Sequence, residues 1–316
     1  MKIFITRKIQ PIAKELLVKE GFEVSVFSKN RPITKDELLK KAKNADAIIS
    51  LLTEKFDKDV IDQLPNCKII ANFAVGYNNI DVEYAKQKGI IVTNTPDVLT
   101  EATAETAVSL ILACAKRIPE VDKFVREDKF KGWEPALFLG VELKNKTVGI
   151  IGAGRIGFET AKRIKAFGTK IIYYNRSRKP KFEKELGAKK VSLNKLLKTS
   201  DIISIHLPLN SQTHYLLNKN NMNQLKPTAI LVNTARGEIV DEKYLIKMLQ
   251  KKKIFSAGFD VYENEPMLNP KLFKLSNVVL LPHIGSATNE TRNAIAKLAT
   301  QNVIQVLKGK KAITPV

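Results

Sequence analysis

The sequence is poor in cysteine, tryptophan and histidine, with two, one and three of them among 316 residues. Cys67 and Cys114 cannot staple a chain this long and are expected as small core residues in a reduced compartment. No apolar run approaches the roughly 18 residues that would cross a bilayer. Met1-Lys2-Ile3-Phe4-Ile5-Thr6 reads as a first strand and not as a charged leader. The expectation is a soluble, cytoplasmic protein with no membrane contact and no metal site. Acidic residues are also scarce, 32 against 53 Lys and Arg, for a net charge of +21. The excess is mostly lysine spread along helix faces, as in Lys40-Lys41-Ala42-Lys43 and Lys251-Lys252-Lys253. It lacks interleaved aromatics and a basic tail, so it reads as solvated surface and not as a nucleic-acid site. Such a field would draw in an anionic cofactor and substrate.

What is present centres on Thr147 to Gly157. Thr147-Val148-Gly149-Ile150-Ile151 is a β-branched run suited to a buried parallel strand, and Gly152-Ala153-Gly154-Arg155-Ile156-Gly157 follows at once. Ala161, Ile164, Ala166 and Phe167 then fall at roughly helical spacing, and Lys170-Ile171-Ile172-Tyr173-Tyr174 reads as the next strand. G-x-G-x-x-G inside a strand-helix-strand unit is a dinucleotide-binding pattern. Gly152 makes the turn, Gly154 admits the pyrophosphate, Gly157 packs helix on strand, and the helix N-terminus faces the anion. An acid that would hold the ribose 2′-hydroxyl of NAD is expected roughly 20 residues on. The chain has Asn175 there, followed by Arg176, Ser177 and Arg178. Two guanidinium groups and a hydroxyl suit a 2′-phosphate, so NADP(H) is expected as the preferred cofactor and NAD(H) as the alternative.

The length allows two domains. Residues 1 to about 95 alternate strands, at Lys2–Thr6, Glu23–Phe27, Ala47–Ser50, Lys68–Asn72 and Ile90–Thr93, with helical patterns such as the one opened by the Thr34-x-x-Glu37 capping box. This half is α/β without a phosphate loop. Pro96 marks a hinge candidate, and Thr103 to Lys116 is a helix apolar enough to be expected at a domain or subunit interface. After the nucleotide unit come strands at Asp201–Ile205, Ala229–Asn233, Ile254–Phe259 and Val278–Leu281, and a long amphipathic helix from Thr288 to Lys308 that should return to the first domain.

Three strand ends in the second half carry ionisable groups, where an open α/β sheet places its ligands. Val232-Asn233-Thr234-Ala235-Arg236-Gly237 offers an arginine for bidentate carboxylate capture. Gly258-Phe259-Asp260-Val261-Tyr262-Glu263-Asn264-Glu265-Pro266 offers two acids, Asp260 and Glu265, and Leu281-Pro282-His283-Ile284-Gly285-Ser286 a histidine.

Together with Val75-Gly76-Tyr77-Asn78-Asn79-Ile80-Asp81 and His206-Leu207-Pro208-Leu209, these motifs run in order through nearly the whole chain. The sequence thereby resembles the D-isomer-specific 2-hydroxyacid dehydrogenases, most closely the glyoxylate/hydroxypyruvate reductases. The resemblance implies two Rossmann-like parallel-sheet domains, one flavodoxin-like and one dinucleotide-binding, with a cleft between them. Residues 1–98 plus 284–316 would form the substrate domain and 99–283 the cofactor domain. Arg236, Glu265 and His283 become the implied catalytic set: His283 protonates the carbonyl oxygen, Glu265 hydrogen-bonds the imidazole, and Arg236 pairs with the substrate carboxylate. Thr103, Gly152, Gly154, Arg155, Ile156, Gly157, Asn175 to Arg178, Leu207, Pro208, Thr213, Thr234, Ala235, Asp260, His283 and Gly285 are the implied cofactor contacts, Asp260 at the nicotinamide carboxamide. Leu52, Val75, Gly76, Arg236 and His283 are the implied substrate contacts, and Trp133 is a candidate to close the pocket from a partner subunit.

The expected activity is therefore reduction of glyoxylate or hydroxypyruvate by a homodimer joined through the Thr103–Lys116 region. Dehydrogenation of another small anion (D-lactate, D-glycerate 3-phosphate, phosphite) is the alternative within the class. A dinucleotide-sensing corepressor-like protein is the alternative outside it. The chain does not continue past Val316 into the regulatory domain of many phosphoglycerate-oxidising relatives, which argues against a serine-biosynthetic role.

Overall fold

The computed structural model describes residues 1–316, which divide into two compact units: Met1–Leu99 with Ala287–Val316, and Thr100–Ser286.

The first unit holds five strands, β1 (Lys2–Ile5), β2 (Glu23–Val26), β3 (Ala47–Ser50), β4 (Ile69–Asn72) and β5 (Ile91–Thr93), all parallel in the order β2-β1-β3-β4-β5. The central strands β3 and β4 are buried along their whole length, which is why they read as unbroken Ile/Ala runs without alternation. Thr34 and Glu37 close the expected capping box on the helix Lys35–Ala42. Asp57, Asp81 and Thr288 cap the helices Lys58–Asp62, Val82–Gln87 and Asn289–Leu307. The last of these packs on β3, β4 and the helix Ile12–Lys19, so the C-terminal segment completes the unit begun by the first residues.

The second unit holds seven strands, β6 (Thr147–Ile151), β7 (Lys170–Tyr174), β8 (Lys189–Lys190), β9 (Ile202–Ile205), β10 (Ile230–Asn233), β11 (Ser256–Phe259) and β12 (Val278–Leu280). They form one parallel sheet in the order β12-β11-β10-β9-β6-β7-β8. Strand order reverses between β6 and β9, and ligands of such sheets lie at the carboxyl ends beside that switch. Both units are thus doubly wound α/β sheets, as the alternating pattern implied.

One expectation is corrected. The apolar helix, Thr100–Lys116, needs no partner to cover it: it packs on the helix Arg155–Lys165 and on β10, β11 and β12. A Cβ placed on Gly258 of β11 would lie 3.1 Å from the Leu110 Cβ and 3.2 Å from the Cys114 sulfur. The residues this helix leaves exposed, Glu101, Glu105, Ser109 and Lys116, are polar. Several exposed apolar side chains lie just beyond it. The helix Ile118–Arg126 buries none of its residues, and Ile118, Val125, Phe130, Trp133 and Leu139 are exposed. No helix is long and apolar enough to cross a membrane.

Candidate active site

The turn after β6 behaves as its glycines require. Gly152 has φ of +100°, and a Cβ there would lie 2.6 Å from the carbonyl oxygen of His206, so neither the backbone nor the space admits another residue. A Cβ on Gly157 would strike the Gly152 carbonyl oxygen. At Gly154, by contrast, a Cβ would meet nothing within 4 Å. No side chain caps the helix Arg155–Lys165 that starts there. An open, uncapped helix N-terminus at the end of a central strand fits the pyrophosphate of a dinucleotide.

At the end of β7 the Asn175 side chain donates to the Ser177 carbonyl at 3.1 Å and holds the turn. Arg178 is drawn aside to Glu183, Nε to Oε1 at 3.2 Å and Nη2 to Oε2 at 2.5 Å. Lys190 of β8, a two-residue edge strand not anticipated from the sequence, donates to the Arg176 carbonyl at 2.9 Å.

The implied catalytic residues gather at the carboxyl ends of the strands that follow β9 in the sheet. Asn233, the last residue of β10, folds the next turn by accepting from Ala235 N–H at 3.0 Å and donating to the Arg236 carbonyl at 2.8 Å. Gly237 lets this turn close on the segment after β11, because a Cβ there would lie 1.9 Å from the Tyr262 carbonyl carbon. Burial lowers the Arg236 pKa, while Glu265 and Glu238 act to raise it. An arginine has ample range to stay charged under such a shift.

After β11, Asp260 is buried and receives the N–H groups of Ile284 and Gly285, each at 2.7 Å. Burial raises its pKa against the pull of those two donors. The Tyr262 hydroxyl donates to the Leu281 carbonyl at 2.8 Å, and the Tyr262 N–H donates to Glu265 Oε1 at 2.8 Å. His283 is therefore fixed from both sides of the chain, in a left-handed conformation with φ of +55°. Its Nδ1 lies 2.8 Å from Glu265 Oε2, with each side chain 33% exposed. Burial pushes the Glu265 carboxyl up, but the His283 hydrogen bond and charge, the Tyr262 N–H and Arg236 outweigh it and hold the carboxyl below its ordinary value. The pair can pass a proton from the free Nε2, and a charged guanidinium stands close enough to act on its acid.

The remaining expected cofactor residues fall around these strand ends with differing availability. Leu207 approaches Gly152, and Pro208 follows it. The Thr234 hydroxyl is buried without a hydrogen-bond partner, an orphaned group of the kind a bound ligand satisfies. Thr103 is buried on the helix Thr100–Lys116 and its methyl lies near Gly285. The Thr213 hydroxyl is already used within its own loop, donating to the Pro208 carbonyl at 2.7 Å and accepting from Asn210 N–H at 2.8 Å. His206 meets the Ser204 hydroxyl at 2.9 Å, and desolvation of its enclosed ring pushes its pKa down to about 3.

In the first unit, considered by itself, Leu52 sits in the loop after β3 and Val75 and Gly76 in the loop after β4. Glu54, buried, accepts from Leu51 N–H, the Thr6 hydroxyl and the Thr53 hydroxyl at 2.5–2.6 Å. The Asn79 amide donates to the Leu51 and Glu54 carbonyls, and Asn72 donates to the Gly76 carbonyl at 2.7 Å. Both loops are thus held together by the side-chain amides of Asn72, which is buried, and Asn79, which is half-buried. The N–H groups of Val75 and Gly76 donate to no group of the chain.

Tyr262, Asn233, Glu183, Lys190, Asn72 and Asn79 were not singled out from the sequence. Tyr262, Asn233 and Asn79 lay inside the quoted motifs, so position within a motif was the only available signal.

Residues 108–285 match the family model described as D-isomer specific 2-hydroxyacid dehydrogenase, NAD binding domain. The chain is 49% identical to the glyoxylate reductase of Thermococcus litoralis, over 98% of this chain and 94% of that one. It is 50% identical to the glyoxylate reductase of Aeropyrum pernix, over 98% and 93%. Among solved structures, the NADPH-dependent glyoxylate/hydroxypyruvate reductase of Sinorhizobium meliloti, in complex with NADP and malonate, superposes with a TM-score of 0.89 at 34% identity, covering 100% of this chain and 96% of that one. The chain belongs to the D-isomer-specific 2-hydroxyacid dehydrogenases.

Proposed function

We propose that this protein reduces glyoxylate and hydroxypyruvate to the corresponding 2-hydroxy acids with a nicotinamide dinucleotide, preferring NADPH. The observation that carries the reading is the 2.8 Å His283–Glu265 pair, joined by Arg236 at the strand ends of a dinucleotide-binding sheet. The names of the Thermococcus and Aeropyrum relatives support the substrate, and the NADP complex of the Sinorhizobium enzyme supports the cofactor.

When bound, the reduced nicotinamide supplies the hydride. His283 gives the Nε2 proton to the carbonyl oxygen of the keto acid. Glu265, kept ionised, holds Nδ1–H and favours the charged ring. Arg236 takes the substrate carboxylate as a fork and stabilises the negative charge that grows on the carbonyl oxygen. Gly152, Gly154, Arg155, Ile156 and Gly157 receive the pyrophosphate. Leu207, Pro208 and Thr213 line the dinucleotide, and Thr103, Thr234, Ala235, Asp260 and Gly285 orient the nicotinamide end. Asn175, Arg176 and Ser177 form the 2′-phosphate end, with Arg178 beside them on the same loop. In the first unit, the unengaged N–H groups of Val75 and Gly76 are the proposed donors to a substrate carboxylate, and Leu52 the proposed limit on its C3 substituent.

The working form in this reading is a cytoplasmic homodimer. Its interface lies on the exposed apolar surface of residues 118–139, which replaces the buried Thr103–Lys116 helix as the contact, with Trp133 reaching toward the partner. Steady-state kinetics on a panel of 2-keto acids with both cofactors test the proposal. It expects highest kcat/KM for glyoxylate or hydroxypyruvate with NADPH. Preference for pyruvate would move the substrate elsewhere in the family, and no cofactor oxidation with any 2-keto acid would leave a binding protein.

A further inference from the structure

Around the loop after β7 stand Arg176 and Arg178 of the loop, Lys190 of β8 and Glu183 of the helix Pro180–Leu186, and these four charges are not equivalent. Arg178 is committed: both its Nε and Nη2 meet Glu183, whose Oε1 also receives the Tyr173 hydroxyl at 2.7 Å. The same hydroxyl accepts from Lys179 N–H at 2.9 Å, so the chain leaving the loop is tied to the end of β7. These contacts raise the Arg178 pKa and lower that of Glu183, keeping both ionised. The Arg176 guanidinium, next but one in sequence, makes no hydrogen bond or ion pair. Lys190 is the register partner of Tyr173 across the β7–β8 ladder. Its ammonium reaches up to the Arg176 carbonyl at 2.9 Å, beside the turn that Asn175 fixes through Ser177.

A dianionic phosphate placed on this turn would meet Glu183 as a repulsive neighbour unless that charge is cancelled, and would gain most from cations not already paired. We propose that Lys190 is a cofactor-specificity residue that joins Arg176 at the 2′-phosphate, and that Arg178 acts as a positioning residue, neutralising Glu183 and bracing the loop instead of binding the phosphate. The inference rests on the NADPH preference proposed above and assigns its parts.

Calorimetric titration with adenosine 2′,5′-bisphosphate and with 5′-AMP reads the site without turnover, and thermal melts check folding of each variant. The wild type should bind the bisphosphate at least about tenfold more tightly than AMP, as for one or more charge-assisted contacts. Lys190→Ala should lose about tenfold for the bisphosphate and under about twofold for AMP. Arg178→Ala should also lose bisphosphate affinity, and Arg178→Ala combined with Glu183→Gln should regain most of it, because the exposed carboxylate is then gone. Lys190→Ala with unchanged discrimination, or a double variant as weak as Arg178→Ala alone, overturns this inference while leaving the cofactor preference standing. A wild type that binds both nucleotides alike overturns the preference and the inference with it.

Discussion

Replacing Glu265 by Gln removes one charge from the dyad while keeping the side chain's shape. The amide has one acceptor oxygen for two donors, Tyr262 N–H and His283 Nδ1, so one hydrogen bond goes with the charge. A unit charge about 4 Å away is worth about 1 kcal/mol in water and about 4 kcal/mol at an effective dielectric of 20. With a third of each side chain exposed, the pair falls between these limits, at about 2 kcal/mol. If the carboxylate supports His283 as it gives up its proton, kcat/KM for glyoxylate should fall about thirtyfold in Glu265→Gln. NADPH oxidation followed by absorbance gives the rate. A kcat/KM within about twofold of the wild type would refute the idea that the carboxylate supports proton transfer from His283.

Other outcomes follow from the same structure. Tyr262→Phe should lower kcat a few-fold for one lost hydrogen bond of about 1 kcal/mol, and the effect should largely vanish in a Glu265→Gln background, whereas additive losses would mean that Tyr262 does not act through the dyad. His206 binds a proton below about pH 6.5 when unfolded but only near 3 when folded. Folding stability should therefore fall as pH drops through that window, by up to about 1.4 kcal/mol per pH unit. Urea unfolding of His206→Gln should show a shallower fall, and parallel curves would contradict a ring held neutral by desolvation. Leu110→Ala should cost about 2–5 kcal/mol, because Leu110 is 1% exposed on the helix laid over β11; a loss below about 1 kcal/mol would return that helix to an interface role.

Much of the fold was legible because local chemistry and the final structure agree. The turn at Gly152 to Gly157 is readable since only glycine meets its backbone and contact demands, and the Ile- and Val-rich strands are readable since burial on both faces removes alternation. From the residues alone Arg236, Glu265 and His283 were visible only as three strand ends, and it was the family resemblance that implied their grouping. That Glu265 faces His283 depends on Tyr262 and Asp260, and a ring hydroxyl that donates to a distant loop and a buried carboxylate that accepts from it leave no spacing to read. The Thr100–Lys116 helix misled for a related reason: apolar residues report that a face is covered, and the cover turned out to be β10 to β12 of its own unit. Lys189–Lys190 escaped notice because a two-residue edge strand made of lysine has no hydrophobic signature. Arg178 reads as a free cation until Glu183 is seen beside it.

The most direct test of the proposed chemistry is single-turnover and steady-state reduction of glyoxylate by His283→Ala at saturating NADPH. If His283 is the proton donor, turnover falls by about 10²–10⁴ while the enzyme still binds the cofactor. Turnover within a few-fold of the wild type would contradict it.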